Sequence, residues 1–298
     1  MTKISTLSIL ASFLGLWLTS FMKNETQIIV GFILIFSFGI VHGANDLLLI
    51  KKINGEKSTT YWTTLINYVA IVLTIIILFS YIPWLAMFLF IIISSYHFGE
   101  QHWEKQNILK GKILAKLFYF IYGLFILLLL FRFHEKEVIK IVEGITQITL
   151  SQKSISLSLN GTGIILIVLF IYNYYTSKIV QETIFLELLY LLVFTVIFKV
   201  GSLIWAFSIY FILWHSIPSL SSQILFLYGE VSLMNIKAYL KSAFIYWLIS
   251  IIGIVILYFL LREYKIFDAI FFSFLAAITF PHVFVIEKMF NIKNKKAE

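Results

Sequence analysis

Cysteine is absent from the 298 residues. That excludes disulfides, thiolate metal sites and cysteine nucleophiles, so any metal must be held by His, Asp or Glu. Proline occurs only three times. No Pro/Gly/Ser-rich tract or low-complexity segment divides the chain, and residues 1–298 are expected to form a single integral-membrane domain. Charge is scarce as well: 13% of residues are charged, against roughly 25% in soluble domains. The 15 acidic residues are outnumbered by 23 basic ones, a formal charge of +8. In an apolar chain that excess is topological and gives no reason to expect nucleic acid as a partner.

What fills the chain is hydrophobic sequence, 60% of it. Runs of about 20 apolar residues read as membrane-spanning helices. They fall at 4–22, 27–50, 62–82, 84–103, 113–133, 160–176, 183–199, 202–227, 242–261 and 266–290. The expected fold is therefore all-α, a polytopic transmembrane bundle of about ten spans in the lipid bilayer. The first run follows Lys3 like a signal peptide but shows no small-x-small cleavage pattern, so it is read as a retained helix. Tyr81-Ile82-Pro83 is a tight turn between the third and fourth spans, and residues 229–241 are expected along the membrane surface. With ten spans, fifteen of the 23 Lys and Arg fall on the side of the two termini. By the positive-inside rule both termini are cytoplasmic, in a multi-pass plasma (inner) membrane protein.

Six histidines stand out: His42, His97, His102, His134, His215 and His282. A lone intramembrane histidine is commonly an interhelical hydrogen-bonder. Here the grouping argues for more. His42, His97, His215 and His282 sit in the second, fourth, eighth and tenth spans, all running toward the cytoplasmic side and all at comparable depth. Neutral imidazoles so placed can meet at one metal. His134 falls at the opposite face and is set aside. In the stretch Ser-Ser-Tyr-His-Phe-Gly-Glu-Gln-His-Trp-Glu, residues 94–104, His102 lies five residues beyond His97. That is about 140° round an ideal helix. His102 is placed behind the ligands, and becomes one only if the helix unwinds after Gly99.

The neighbours fit a metal site. Asp46 is four residues after His42, one turn on; Glu100 and Gln101 follow His97 by three and four. Carboxylates and amides commonly orient ligating imidazoles. Gly43 and Gly99 would let another helix approach. Pro218 and Pro281 would free the carbonyls of Trp214 and Ala277. Of the aromatic residues around these motifs, Tyr96, Trp205, Tyr210, Trp214 and Phe280 are candidates to line an apolar cavity.

His-Gly-Ala-Asn-Asp at 42–46, Tyr-His-Phe-Gly at 96–99, Trp-His at 214–215 and Pro-His at 281–282 resemble the Brp/Blh family of membrane-bound β-carotene 15,15′-dioxygenases, over nearly the whole chain. The resemblance implies cleavage of β-carotene at its central double bond into two retinals, with Fe(II) as cofactor and O2 as co-substrate. It also implies a functional link to a retinal-binding rhodopsin. It assigns iron to His42, His97 and His215. Family members often carry a further histidine four residues after the Trp-His histidine; here that position is Ser219, a poor iron ligand. His282 is then expected to complete the set, with His102 the alternative, and Asp46, Glu100, Gln101 and Ser219 behind them. A hydrocarbon dissolved in the bilayer can reach an intramembrane site laterally. Two other readings stay open: a non-catalytic carotenoid- or retinal-binding membrane protein, and a His/Asp proton-coupled transporter. The His-x-x-x-His and His-x-x-His-His runs of membrane di-iron hydroxylases are missing.

Overall fold

A computed structural model describes residues 3–55, 58–103, 112–176, 178–261 and 267–297, and among the described residues there is helix and no strand. Hydrocarbon offers the backbone no hydrogen-bond partner, so apolar runs close their bonds within the segment. The helices are α1 (Lys3–Thr19), α2 (Asn24–Leu34), α3 (Asp46–Asn54), α4 (Ser58–Tyr81), α5 (Pro83–Trp103), α6 (Lys112–Phe133) and α7 (Glu135–Thr146). They continue as α8 (Gln152–Thr176), α9 (Lys178–Val200), α10 (Leu203–Tyr210), α11 (Ile217–Tyr228), α12 (Leu233–Leu261) and α13 (Phe267–Ala297). π-helical segments extend α2 at Ile35–Gly39 and join α10 to α11 at Phe211–Ser216.

Among the described residues seven helices are long and apolar enough to cross a membrane, lying within α4, α6, α8, α9, α10–α11, α12 and α13. Seven is fewer than the expected count of about ten, and each shortfall has a physical reason. Ile4–Thr19 and Asn24–Gly39 are apolar but short. The run expected at 27–50 is broken by a turn at 42–45, after which α3 starts at Asp46. α5 has full length, but its second half carries Ser94, Ser95, His97, Glu100, Gln101 and His102. The turn at Tyr81-Ile82-Pro83 is present, with Pro83 opening α5, where its missing N–H costs nothing. The segment 229–241, expected along the membrane surface, is from Leu233 onward the first part of α12. The sixth run, expected at 160–176, starts eight residues earlier, at Gln152. Lys57, Lys105, Lys110, Arg262 and Lys265, which enter the charge count, and position 266 lie outside the described residues.

The helices group into two compact units. The first comprises Met1–Ile35, Ser94–Lys140 and Thr149–Pro218. In it α6 packs on α8 and α9, and α10 packs on α2. Gly99 of α5 and Gly123 of α6 make a close crossing: a Cβ on Gly99 would overlap the Tyr119 carbonyl, and one on Gly123 the Ser95 carbonyl. Small residues at such crossings let backbones touch. The second unit comprises Phe36–Ile93, Ile141–Ile148 and Ser219–Glu298, with α13 packed on α4, α3 and α12. Its apolar core joins Ile75, Phe79, Ala86, Met87, Ala276, Ala277 and Phe280. Phe280, a candidate cavity residue by sequence, is thus a core residue here.

Candidate functional site

In the second unit, His42 and His282 face each other edge to face, ring centroids 4.9 Å apart, and both are buried. His42 stands in the turn that breaks the expected helix, its Nδ1 bonded to the Gly39 carbonyl at the end of the π segment. The phenol of Tyr239 and the amide of Gln223 both donate to the His42 carbonyl, at 3.2 and 2.8 Å. The one Tyr239 hydroxyl proton is shared with Gln223 Oε1, at 2.7 Å, and Asn45 Nδ2 donates to the Tyr239 carbonyl at 2.9 Å. A buried turn needs such donors, since its carbonyls lack helical partners.

Asp46 sits where the sequence did not place it. The turn at 42–45 removes the helical spacing that would have put it over His42, and the carboxylate serves His282 instead. His282 Nδ1 donates to Asp46 Oδ1 at 2.8 Å, and the Tyr68 hydroxyl donates to Asp46 Oδ2 at 3.0 Å. With Nδ1 as donor, Nε2 of His282 is the nitrogen left to bind a metal. Beside it, a Cβ on Gly43 would lie 3.5 Å from His282 Nδ1. That is ordinary contact, so the glycine is not needed for the approach. Ser219, fully buried, accepts a hydrogen bond from Gln223 Nε2 at 3.1 Å.

In the first unit, His97 and His215 form a second buried pair, ring centroids 4.7 Å apart, with Phe98 also 4.7 Å from His215 and Phe211 stacked on it. His215 lies inside the π segment Phe211–Ser216. π-bulges recur at functional sites because they re-aim side chains from a continuous helix. Pro218 explains this one, though not through Trp214. In the π register the Ile217 N–H reaches back five residues to Ile212. The next residue, Pro218, has no N–H to give Leu213. The Leu213 carbonyl is taken instead by the Ser8 hydroxyl of α1, at 2.7 Å.

The other residues singled out by sequence have definite partners. Glu100, buried, accepts from Tyr96 at 2.7 Å on the same helix, and Gln101 is buried next to it. Trp205 donates to Thr19 at 2.8 Å and Trp214 to Ser12 at 2.9 Å, tying α10 and the π segment to α1. Tyr210 packs edge to face on Phe194 at 5.2 Å. His102 is not with the other imidazoles of its unit. α5 stays helical through Trp103, so the unwinding that would turn His102 toward His97 does not occur. It bonds Glu187 Oε2 at 2.9 Å and stacks on Tyr122, whose hydroxyl donates to the same oxygen at 3.1 Å. Glu187, 2% exposed in α9, could have been found by sequence as an ionisable group inside an apolar run. Tyr68, Tyr239 and Gln223 carried no comparable signal. His134 lies between α6 and α7; burial pushes its pKa below the usual imidazole value, with Glu137 working the other way.

Four buried imidazoles in two pairs, one with its tautomer set by a carboxylate, in a chain of apolar helices, are donors that suit a transition metal. Comparison with curated proteins and with solved structures returns no match. Residues 33–290, most of the chain, match the family model described as beta-carotene 15,15′-dioxygenase, and the chain belongs to that family.

Proposed function

We propose that this protein cleaves β-carotene at its central double bond to two molecules of retinal, with one O2 providing both aldehyde oxygens. Family membership supports a carotenoid dioxygenase. The observation that carries the site assignment is that His42, His97, His215 and His282 are all buried and paired edge to face. These four would hold one Fe(II). Bound there, iron would supply the redox activity toward O2 that zinc lacks.

The remaining work belongs to the chain. Asp46 holds His282 in the Nδ1–H tautomer, and Tyr68 holds Asp46. Gln223 and Tyr239 fix the backbone of His42. Glu100, Gln101 and Ser219 act from behind the ligands. Tyr96, Trp205, Tyr210 and Trp214 are assigned to the apolar wall against the polyene, which keeps water from the reacting bond. The whole chain serves as one plasma-membrane domain. The two short apolar helices and α5 cross the membrane with the other seven, which puts both termini in the cytoplasm. Retinal release into the bilayer suits delivery to a rhodopsin.

The test is anaerobic purification with metal analysis, then incubation with β-carotene and O2 and chromatography of the products. Iron near one equivalent and two retinals per carotene are expected. Intact carotene with iron bound would favour a non-catalytic binding protein.

A further inference from the structure

One cavity in the second unit is not used by the chemistry above. It has a volume of about 260 Å³ and is built from the end of α3, the first half of α4 and the second half of α13. Its body is apolar: Ile50, Ile53, Ile71 and Val285 contribute only hydrocarbon. Its lining also holds Asn54, Thr64, Asn67 and Lys288, four side chains able to donate hydrogen bonds. Lys288 can only donate. Among the described residues, no aspartate or glutamate lines it. Two further lining residues connect it to the imidazole pair of this unit. Tyr68 donates to the carboxylate that holds His282, and Pro281 precedes that histidine in the chain.

A carotene is a hydrocarbon and has no use for donors. Its cleavage creates an acceptor-only group, the aldehyde oxygen, on an apolar body of half the original length. The structure assigns this cavity to the product: it is a holding site for an apolar polyene ending in a carbonyl, with Asn67 and Lys288 as the donors to its oxygen. The assignment rests on the cleavage reading for the identity of the ligand, but the site can be tested without turnover. Three of the four donors, Asn54, Asn67 and Lys288, are exposed, and the apolar body of the ligand would stay among the isoleucines. The Tyr68 wall puts bound product one hydrogen-bonded carboxylate away from His282.

The experiment is equilibrium binding of all-trans-retinal to the metal-free full-length protein in detergent, in competition with a polyene hydrocarbon of the same length. Wild type should prefer the aldehyde by about tenfold, the difference expected for two ordinary hydrogen bonds. The double variant Asn67→Leu, Lys288→Met should lose that preference while still binding the hydrocarbon. Ile71→Trp, which fills the cavity, should weaken both ligands at least tenfold; an unchanged thermal midpoint shows that it is folded. Equal affinity for the two ligands in wild type, or a preference that survives the double variant, overturns the assignment. The cleavage assay is read separately on iron-loaded wild type. Donor-dependent retinal binding without cleavage would sink the enzymatic reading and keep the site; cleavage with donor-independent binding does the reverse.

Discussion

His282 is the residue around which the second unit's polar groups are arranged. Its Nδ1 is committed to Asp46, and Asp46 to Tyr68. Removing the carboxylate's charge with Asp46→Asn should weaken iron binding by about 10–100-fold, the usual range for partners behind a metal ligand. Tyr68→Phe should do less, because Asp46 keeps its bond to His282. Iron content after dialysis against a graded chelator measures both. The sharper comparison is His282→Ala against His102→Ala. The first should abolish iron binding. The second leaves Glu187 with one partner fewer in a buried setting and should cost roughly 1–3 kcal/mol of stability while iron is retained. Iron lost from His102→Ala but kept by His282→Ala would move the fourth ligand to α5.

Helix α5 and the π segment set what the elements can tolerate. α5 meets α6 at Gly99 and Gly123, where any Cβ strikes backbone and not a movable side chain. Gly99→Ala should therefore destabilise by about 1–3 kcal/mol, the range for overpacking, and displace His97 two residues away. Gly43→Ala, with only ordinary contacts, should be close to neutral. Thermal unfolding in one detergent compares the two. At the π segment, Ser8→Ala removes the donor that replaces the N–H missing at Pro218. A loss of about 1 kcal/mol is expected; no loss would mean that water serves the Leu213 carbonyl equally well.

For the whole molecule the prediction is topological. A reporter active only outside the cytoplasm, fused at Glu298, should be silent if the short helices Ile4–Thr19 and Asn24–Gly39 cross. At about 1.5 Å per residue they fall short of a hydrocarbon layer of about 30 Å, and local thinning of the bilayer would have to accommodate them. A strong signal there would mean an odd number of crossings and would undo the depth argument for the four histidines.

The sequence by itself determined that the protein is helical and apolar, that cysteine plays no part, and which histidines stand inside apolar runs. Those properties are local: a run of apolar residues has no other way to satisfy its backbone in lipid, and an ionisable group in such a run is conspicuous. The start of the fourth run was legible as well, since Pro83 opens α5. Only the tertiary structure decided which carboxylate serves which imidazole. Helical periodicity assigned Asp46 to His42, but the turn at 42–45 cut that spacing, and a partner 236 residues away took the carboxylate. Periodicity likewise assigned the effect of Pro218 to Trp214, and the π register moved it by one residue. Tyr68, Gln223 and Tyr239 look like any membrane-helix polar residue until packing brings them to Asp46 and His42. Contacts between helices far apart in sequence leave no mark on local spacing, and those contacts aim the histidines.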